Sequence, residues 1–319
     1  MSRSGDSPDL VDIPTVVDLV EQHFPQFTGL RVAAIPGVGT SNQIFRIGDD
    51  LAARFPRTVG TPAAVRAGLV SEHQAMTRFN DDCPFASPAI VGLGKPGAGH
   101  RFYWSLQTWL PGSVATEALV QSSDDFADDL AELITALRSA DTRGQRFGGE
   151  GRGGGLRRHD EWVRTCLQRS AGLLNTELLA AFWSRHRALP REQADRMCHT
   201  DLIPFNLIVA GNRLSGVLDT GGYGPADPSL DLVAAWHLLD AKRRDRLRTH
   251  LASDDLEWAR GCAWAFEQAI GLVWYYLESN PAMARLGART LQRLIADATG
   301  DPQSLAPADS PVRLLLRHP

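Results

Sequence analysis

The sequence predicts an α+β protein of two lobes, a strand-rich N-terminal one followed by a larger, mainly helical one. Three observations predict it. Short apolar, partly β-branched runs separated by turn residues crowd residues 31–110. Apolar residues at helical spacing dominate after residue 111. The length, 319 residues, suggests about two domains. The boundary falls at Leu110-Pro111-Gly112, a natural hinge, which divides the chain into 1–110 and 111–319.

Composition narrows the class. The chain is 43% hydrophobic and 22% charged, as expected of a globular protein and unlike a disordered one. A net charge of −4 leaves no electrostatic footprint for nucleic acid. Cys83, Cys166, Cys198 and Cys262 are scattered without a C-x-x-C pair, so neither a zinc site nor a disulfide framework is indicated. No run approaches transmembrane length, and Asp6, Asp9 and Asp12 stand where a signal peptide needs apolar residues. Reduced thiols in the cytoplasm are the expectation.

In chain order, Ile13 to His23 is a helix with Val16, Val17, Leu19 and Val20 on its apolar face. Arg31–Ile35 and Gln43–Ile47 read as strands flanking Pro36 to Asn42. Gly37 and Gly39 let that loop approach phosphates closely, with Ser41 and Asn42 at its end, although a plain hairpin turn is the alternative. Leu51–Phe55 is a third strand carrying Arg54, a phosphate clamp or else a solvated strand arginine, and a helix over Ala64–Phe79 carries Glu72, its expected partner or else a solvated helix residue. A strand at Ala89–Val91 and an apolar run over Phe102–Leu110 complete the first lobe. Then come an amphipathic helix over Asp124–Ala140, a glycine- and arginine-rich segment over Arg143–Gly155 read as a mobile loop, and helices over Asp160–Leu174 and Thr176–Leu189.

The most informative stretch is Met197 to Trp236. Leu207-Ile208-Val209 and Leu214 to Leu218 form a hairpin across Ala210-Gly211-Asn212-Arg213. Before it stands His199-x-Asp201-x-x-x-x-Asn206, and after it Asp219-Thr220-Gly221. In that order these match a phosphotransfer catalytic loop followed by a metal-binding aspartate. The residue types suit the chemistry, because phosphoryl transfer asks the protein to position groups and neutralise charge. Asp201 is the expected base for the attacking hydroxyl. Asn206 and Asp219 are the expected oxygen ligands of Mg²⁺. Asp-Thr-Gly alone also fits an aspartic protease strand, which would need a second such triplet or a small all-β dimer. A structural turn is the other reading.

Beyond the hairpin, Asp227-Pro228 is an N-cap with proline at the first helical position, opening a helix through Asp231 to about Asp240. A helix over Trp258–Glu278 places Glu267, Gly271, Trp274 and Glu278 on one face, with Ala265, Ala269, Leu272 and Tyr276 on the core-facing side. A last helix covers about Ala284–Ala298, and the tail from Pro302 reads as loosely ordered.

With these residues in view the chain resembles the aminoglycoside phosphotransferase family. The resemblance is carried by His199 to Asn206, Leu218 to Gly221 and Gly224 to Leu232, with support from Gly39-Thr40-Ser41-Asn42, Arg54-Phe-Pro-Arg57, Trp109-Leu110-Pro111-Gly112 and Asp160-Glu161-Trp162. It implies a protein-kinase-like fold with a nucleotide-binding N-lobe, a helical C-lobe holding the acceptor, and ATP or GTP with Mg²⁺. It casts Arg54 as the phosphate clamp in place of the usual lysine, Glu72 as its partner, and the backbone at Gln107, Trp109 and Leu110 as the adenine contact. His199, Asp227 and Asp231 become structural support. Asp160, Glu267, Trp274 and Glu278 are the acceptor-binding candidates. The implied activity is transfer of the γ-phosphate to a hydroxyl of a small molecule, an aminoglycoside-type or other antibiotic, by a monomer or homodimer with neither nucleic acid nor membrane as partner. A macrolide or a metabolite such as choline or homoserine is the alternative acceptor, and a non-catalytic pseudokinase the alternative role. A protein kinase is disfavoured, since no Ala-Pro-Glu follows Asp219.

Overall fold

The computed structural model describes residues 10–35, 42–57, 60–149 and 151–317. The chain forms two compact units, one of residues 1–81, 86–111 and 216–222, the other of 82–85, 112–215 and 223–319.

The first unit is built on helix α1 (Ile13–His23), strands β1 (Val32–Ile35), β2 (Asn42–Ile47) and β3 (Leu51–Pro56), helix α2 (Pro62–Asp82), and strands β4 (Ile90–Gly94) and β5 (Trp104–Thr108). Asp12 caps α1 by accepting the Thr15 N–H at 3.0 Å. The strands form one antiparallel sheet in the order β1-β2-β3-β5-β4. Val16, Leu19 and Val20 of α1 close over Phe45, Ile47, Phe55, Trp104 and Leu106 of the sheet. Phe55 and Trp104 stack at 5.0 Å. Each such side chain contributes about 1.5–3 kcal/mol by leaving water. Gly94 is required here, because a Cβ would lie 2.0 Å from the Trp104 indole. Leu69, Met76 and Phe79 supply the buried stripe of α2.

The second unit contains strand β6 (Ser113–Val114), helices α3 (Glu117–Val120), α4 (Asp124–Ser139), α5 (Asp160–Arg169) and α6 (Thr176–His186), and strands β7 (Arg196–Cys198), β8 (Leu207–Ala210), β9 (Arg213–Val217) and β10 (Gly224–Ala226). Helices α7 (Val233–Leu238), α8 (Ala241–His250), α9 (Asp255–Tyr276), α10 (Pro281–Thr299) and α11 (Val312–Arg317) follow. The hairpin β8–β9 joins β6 in a three-stranded sheet, and β7 pairs antiparallel with β10. Helix α9 is the hub, packed by α5, α6, α7 and α10. Between Arg260 and Val273 it is buried almost all round, so the expected division into a core face and an open face does not occur.

Other expectations need correction. The helix after Asp227 begins as a 3-10 turn, Pro228–Leu232, before α7. Asp227 does cap it, accepting the Ser229 N–H at 3.1 Å. The tail is not loose. Leu305 and Val312 are buried, the Asn175 N–H donates to the Leu305 carbonyl at 2.8 Å, and the Ser310 hydroxyl donates to the Leu173 carbonyl at 2.6 Å. Among the described residues no helix is long and apolar enough to cross a membrane, and all four cysteines are free thiols.

Candidate active site

The loop from His199 to Asn206 leaves the end of β7 and is braced from below. Asp231, buried at the end of a 3-10 turn, accepts the backbone N–H of His199 at 2.8 Å and of Thr200 at 2.9 Å. Burial pushes its carboxyl up, while the His199 charge and these two N–H groups oppose that. Thr200 takes a left-handed backbone, φ 75°, a conformation that costs a non-glycine residue roughly 1–2 kcal/mol and turns the chain sharply ahead of Asp201. Behind it, Ile203 N–H donates to the Asp201 carbonyl at 2.8 Å and Asn206 N–H to that of Ile203 at 3.0 Å.

Three side-chain contacts then fix the Asp201 carboxylate, and a fourth holds its backbone carbonyl. Oδ1 accepts from Gln268 Nε2 at 2.7 Å and from Arg152 at 2.9 Å. Asn206 Nδ2 donates to the Asp201 carbonyl at 2.9 Å and to Oδ2 at 3.2 Å. Its amide nitrogen is thereby turned toward Asp201, which leaves Oδ1 of Asn206 as the atom able to ligate a cation.

Arg152 arrives from the glycine- and arginine-rich segment. That segment lacks regular structure, as its composition implies, yet it is tied down rather than loose. Phe147 N–H donates to Asp195 at 2.8 Å, the Gly153 carbonyl accepts the Asp227 N–H at 2.9 Å, and the Gly154 carbonyl accepts from Arg260 at 3.2 Å. Asp227 is the buried centre of this arrangement. Its Oδ2 accepts from Arg260 Nε at 2.9 Å and Trp264 Nε1 at 3.0 Å.

In the first unit, Asp219 follows the hairpin by one residue in a left-handed conformation, φ 55°. Its Oδ1 accepts from Arg54 at 3.1 Å, and the Asp219 side chain is 54% exposed. Arg54 is buried, so it is no solvated strand residue. Its bonded partner is Asp219 and not Glu72, a correction to the expected pairing. Glu72 lies against Gly221, where a Cβ would sit 3.0 Å from its Cγ. Burial raises the Glu72 carboxyl, Arg54 pulls it back down, and Asp219 pushes it up again. Gly37, Gly39 and Ser41 lie outside the described residues, and Asn42 opens β2 opposite Pro56. Gln107 sits within β5. The Trp109 N–H is already engaged by the Asp50 carbonyl at 2.7 Å, so it is not open to a base, and beyond it Leu110 follows the strand.

The acceptor candidates do not gather as expected. Asp160 accepts from Trp183 Nε1 at 2.9 Å and from Arg187 Nε at 2.7 Å, a clamp between α5 and α6, and Arg187 holds its carboxyl below the usual range. Glu267 is buried and bonded to His159 Nδ1 at 2.8 Å. The glycine gap at Gly271 is filled by Trp162, whose indole lies 2.6 Å from where a Cβ would stand. Trp274 is half-buried beside that indole, their centroids 6.4 Å apart. Glu278 lies past the end of α9 and is exposed, because the helix stops at Tyr276.

Residues 32–264 match the phosphotransferase enzyme family. The chain belongs to that family. No curated protein matches the sequence. Among solved structures, this phosphotransferase is similar to the GDP and kanamycin complex of APH(2″)-IIia, with TM-score 0.67 and 18% identity over 88% of this chain and 98% of that one. It is similar to macrolide 2′-phosphotransferase MphH from Brachybacterium faecium, an apoenzyme, with TM-score 0.58 and 18% identity over 87% and 98% of the two chains. It is also similar to ADP-bound aminoglycoside phosphotransferase APH(2″)-Ib, with TM-score 0.58 and 16% identity over 89% and 98%. The phosphotransferase thus has the kinase-like α+β fold, an antiparallel N-terminal sheet followed by a helical part.

Two side chains bound to Asp201 of this phosphotransferase, Arg152 and Gln268, are invisible as site residues in the sequence. Arg152 is one arginine in a segment rich in them, and Gln268 is one polar residue in a helix. Among the described residues no group of three or more His, Cys, Asp or Glu side chains could hold a metal. Asn206 Oδ1 and the Asp219 carboxylate are each oxygen donors of the kind that suits a hard cation.

Proposed function

We propose that the chain transfers the γ-phosphate of ATP or GTP to a hydroxyl of a small molecule, an antibiotic of the aminoglycoside or macrolide kind. The observation that carries this reading is the Asp201 carboxylate, held by Asn206, Gln268 and Arg152 in a loop braced by Asp231. In a member of a phosphotransferase family, an aspartate so fixed serves as acceptor of the hydroxyl proton. Asn206 Oδ1 and Asp219 would hold Mg²⁺, and Arg54 would keep Asp219 oriented for it. The ion supplies neutralisation of phosphate charge. The Pro36–Asn42 loop and the backbone near Leu110 remain the proposed nucleotide contacts. The reading places the protein in the cytoplasm as a monomer or homodimer.

One observation favours an acceptor with a large apolar body, of the macrolide kind, over a polycation. The carboxylates best placed for a cation, Asp160 and Glu267, are already paired. Trp162 by contrast is 42% exposed and covers Gly271, one turn of α9 beyond Gln268. An exposed indole on the helix that also carries Gln268 suits an apolar surface.

The test is a turnover screen with ATP and GTP against aminoglycosides, macrolides and small amino alcohols, alongside Asp201→Ala. Phosphorylated product from the parent, and nucleotide binding without turnover in Asp201→Ala, are expected. An unchanged rate in that variant removes Asp201 as base. Nucleotide binding without consumption by the parent, whatever the acceptor, would instead make the chain a pseudokinase.

A further inference from the structure

Behind Asp201 runs a buried chain of hydrogen bonds that ends on helix α10. Gln268 Nε2 meets Asp201 Oδ1 at 2.7 Å, Gln268 Oε1 meets His237 Nε2 at 2.9 Å, and His237 Nδ1 meets Thr290 Oγ1 at 2.8 Å. Gln268, His237 and Thr290 come from α9, α7 and α10 and are all buried. The direction of the chain follows from donor and acceptor chemistry. A carboxylate only accepts, so the Gln268 nitrogen must face it and its oxygen must face His237. His237 therefore carries its proton on Nε2, and its bare Nδ1 accepts from the Thr290 hydroxyl.

We infer that Gln268 is a positioning residue for phosphoryl transfer: oriented by His237 and Thr290, it holds Oδ1 of Asp201 and leaves Oδ2 to face the acceptor hydroxyl. This rests on the reading of Asp201 as base. Arg152 binds the same Oδ1 from the opposite side of the sequence, so both donors converge on one oxygen. Oδ2 has the single 3.2 Å contact from Asn206. The charged groups around His237 are Arg293, which donates to its carbonyl at 3.0 Å, and Arg152. Both oppose a second proton on the ring, as does burial, and a neutral imidazole keeps the chain pointing one way. Three helices thus share the work of orienting one carboxylate, and none of these side chains needs to touch substrate.

The experiment uses the full-length protein and two variants, Gln268→Met and Gln268→Leu, neither of which donates to Asp201. Both are expected to lose about 100-fold in kcat while the KM for nucleotide stays within about twofold, the scale on which a small misplacement of a reacting group acts. Thr290→Val, at the far end, is expected to lose less, because it only frees the imidazole to turn. A Gln268→Met variant that keeps the parental kcat overturns the inference. Nitrogen-15 shifts of His237 in the parent give a readout independent of turnover and of variant folding: protonation on Nε2 is expected, and protonation on Nδ1 overturns it. If instead the parent phosphorylates no acceptor, the proposed function fails while the His237 tautomer still reports on the chain of bonds.

Discussion

Arg152 donates to Oδ1 of Asp201 at 2.9 Å, from a loop whose next two backbone carbonyls, Gly153 and Gly154, are both held by the Asp227–Arg260 pair. A buried structural ion pair thereby sets where a cation meets the candidate base. The connection runs through the backbone, so the side chain of Arg152 can be changed without loosening the loop.

Arg152→Ala is accordingly expected to lower kcat about 100-fold, the low end of the loss on removing one preorganised donor from an active site. The melting temperature should stay close to the parent's. Arg152→Lys keeps the charge without the planar fork and should recover part of the loss. Steady-state kinetics with the acceptor found by screening, together with a melting curve, check both halves. A rise in kcat would identify the pair as a restraint on the base.

How far this site was readable from the sequence differs from residue to residue. The order His199, Asp201, Asn206, Asp219 was legible because each residue type answers one chemical demand and the hairpin between them is marked by its turn. Asp227 was legible as an N-cap ahead of a proline, whereas a role for Asp231 came only with the family resemblance. Gln268 was not legible, since a lone glutamine next to Glu267 carries no periodic or motif signal. Its role exists only because α9 passes behind the loop. The acceptor face failed for a related cause. Helical spacing placed Glu267 and Trp274 on one side of α9 but could not show that α5 covers that side with Trp162. Helix α8 was missed altogether, because Ala241–His250 is nearly all polar and buries only Arg244 and Leu247. In the first unit the strands were readable from their β-branched runs and turns, whereas the pairing of Arg54 with Asp219 in place of Glu72 depends on where the chain re-enters that unit at Gly216.

Arg54→Ala should weaken nucleotide binding. The variant removes the partner of Asp219 and also the cation that holds the Glu72 carboxyl down against burial. An increase of about tenfold or more in the nucleotide KM is expected, with Arg54→Lys intermediate because the charge survives and the bidentate fork does not. Calorimetric titration with ATP and GTP measures the change directly.

Arg260→Met should damage stability directly, beside any effect it has on activity through the Arg152 loop. Asp227 and Arg260 are both buried, and the guanidinium also donates to the Leu189 carbonyl at 2.8 Å and the Pro190 carbonyl at 3.1 Å. Removing it leaves a buried carboxylate with only Trp264 and its own cap as donors. A loss of about 3–5 kcal/mol is expected, as for other broken buried pairs. Urea unfolding followed by tryptophan fluorescence reads it.

His237 makes the acid limb of stability testable. Burial is the largest cause holding its imidazole down, to about 4, from the usual 6.5, while Gln268 acts in the other direction and Arg293 and Arg152 add to the depression. In the unfolded chain the ring takes its proton as pH falls through about 6.5, while the folded protein refuses it until about 4. Between those values the unfolded state binds more protons, so stability must fall as pH falls. The contribution is fully present above pH 6.5 and largely gone at pH 4, a span of about 3 kcal/mol at roughly 1.4 kcal/mol per unit. Asp231, whose carboxyl burial raises, acts with the opposite sign, because it favours the protonated form in the folded state. Comparing the parent with His237→Gln cancels that term and every other group the two share. The difference in unfolding free energy between them should narrow steadily from pH 7 to pH 4, and a difference that stays constant over that range would show that His237 accepts its proton as readily folded as unfolded.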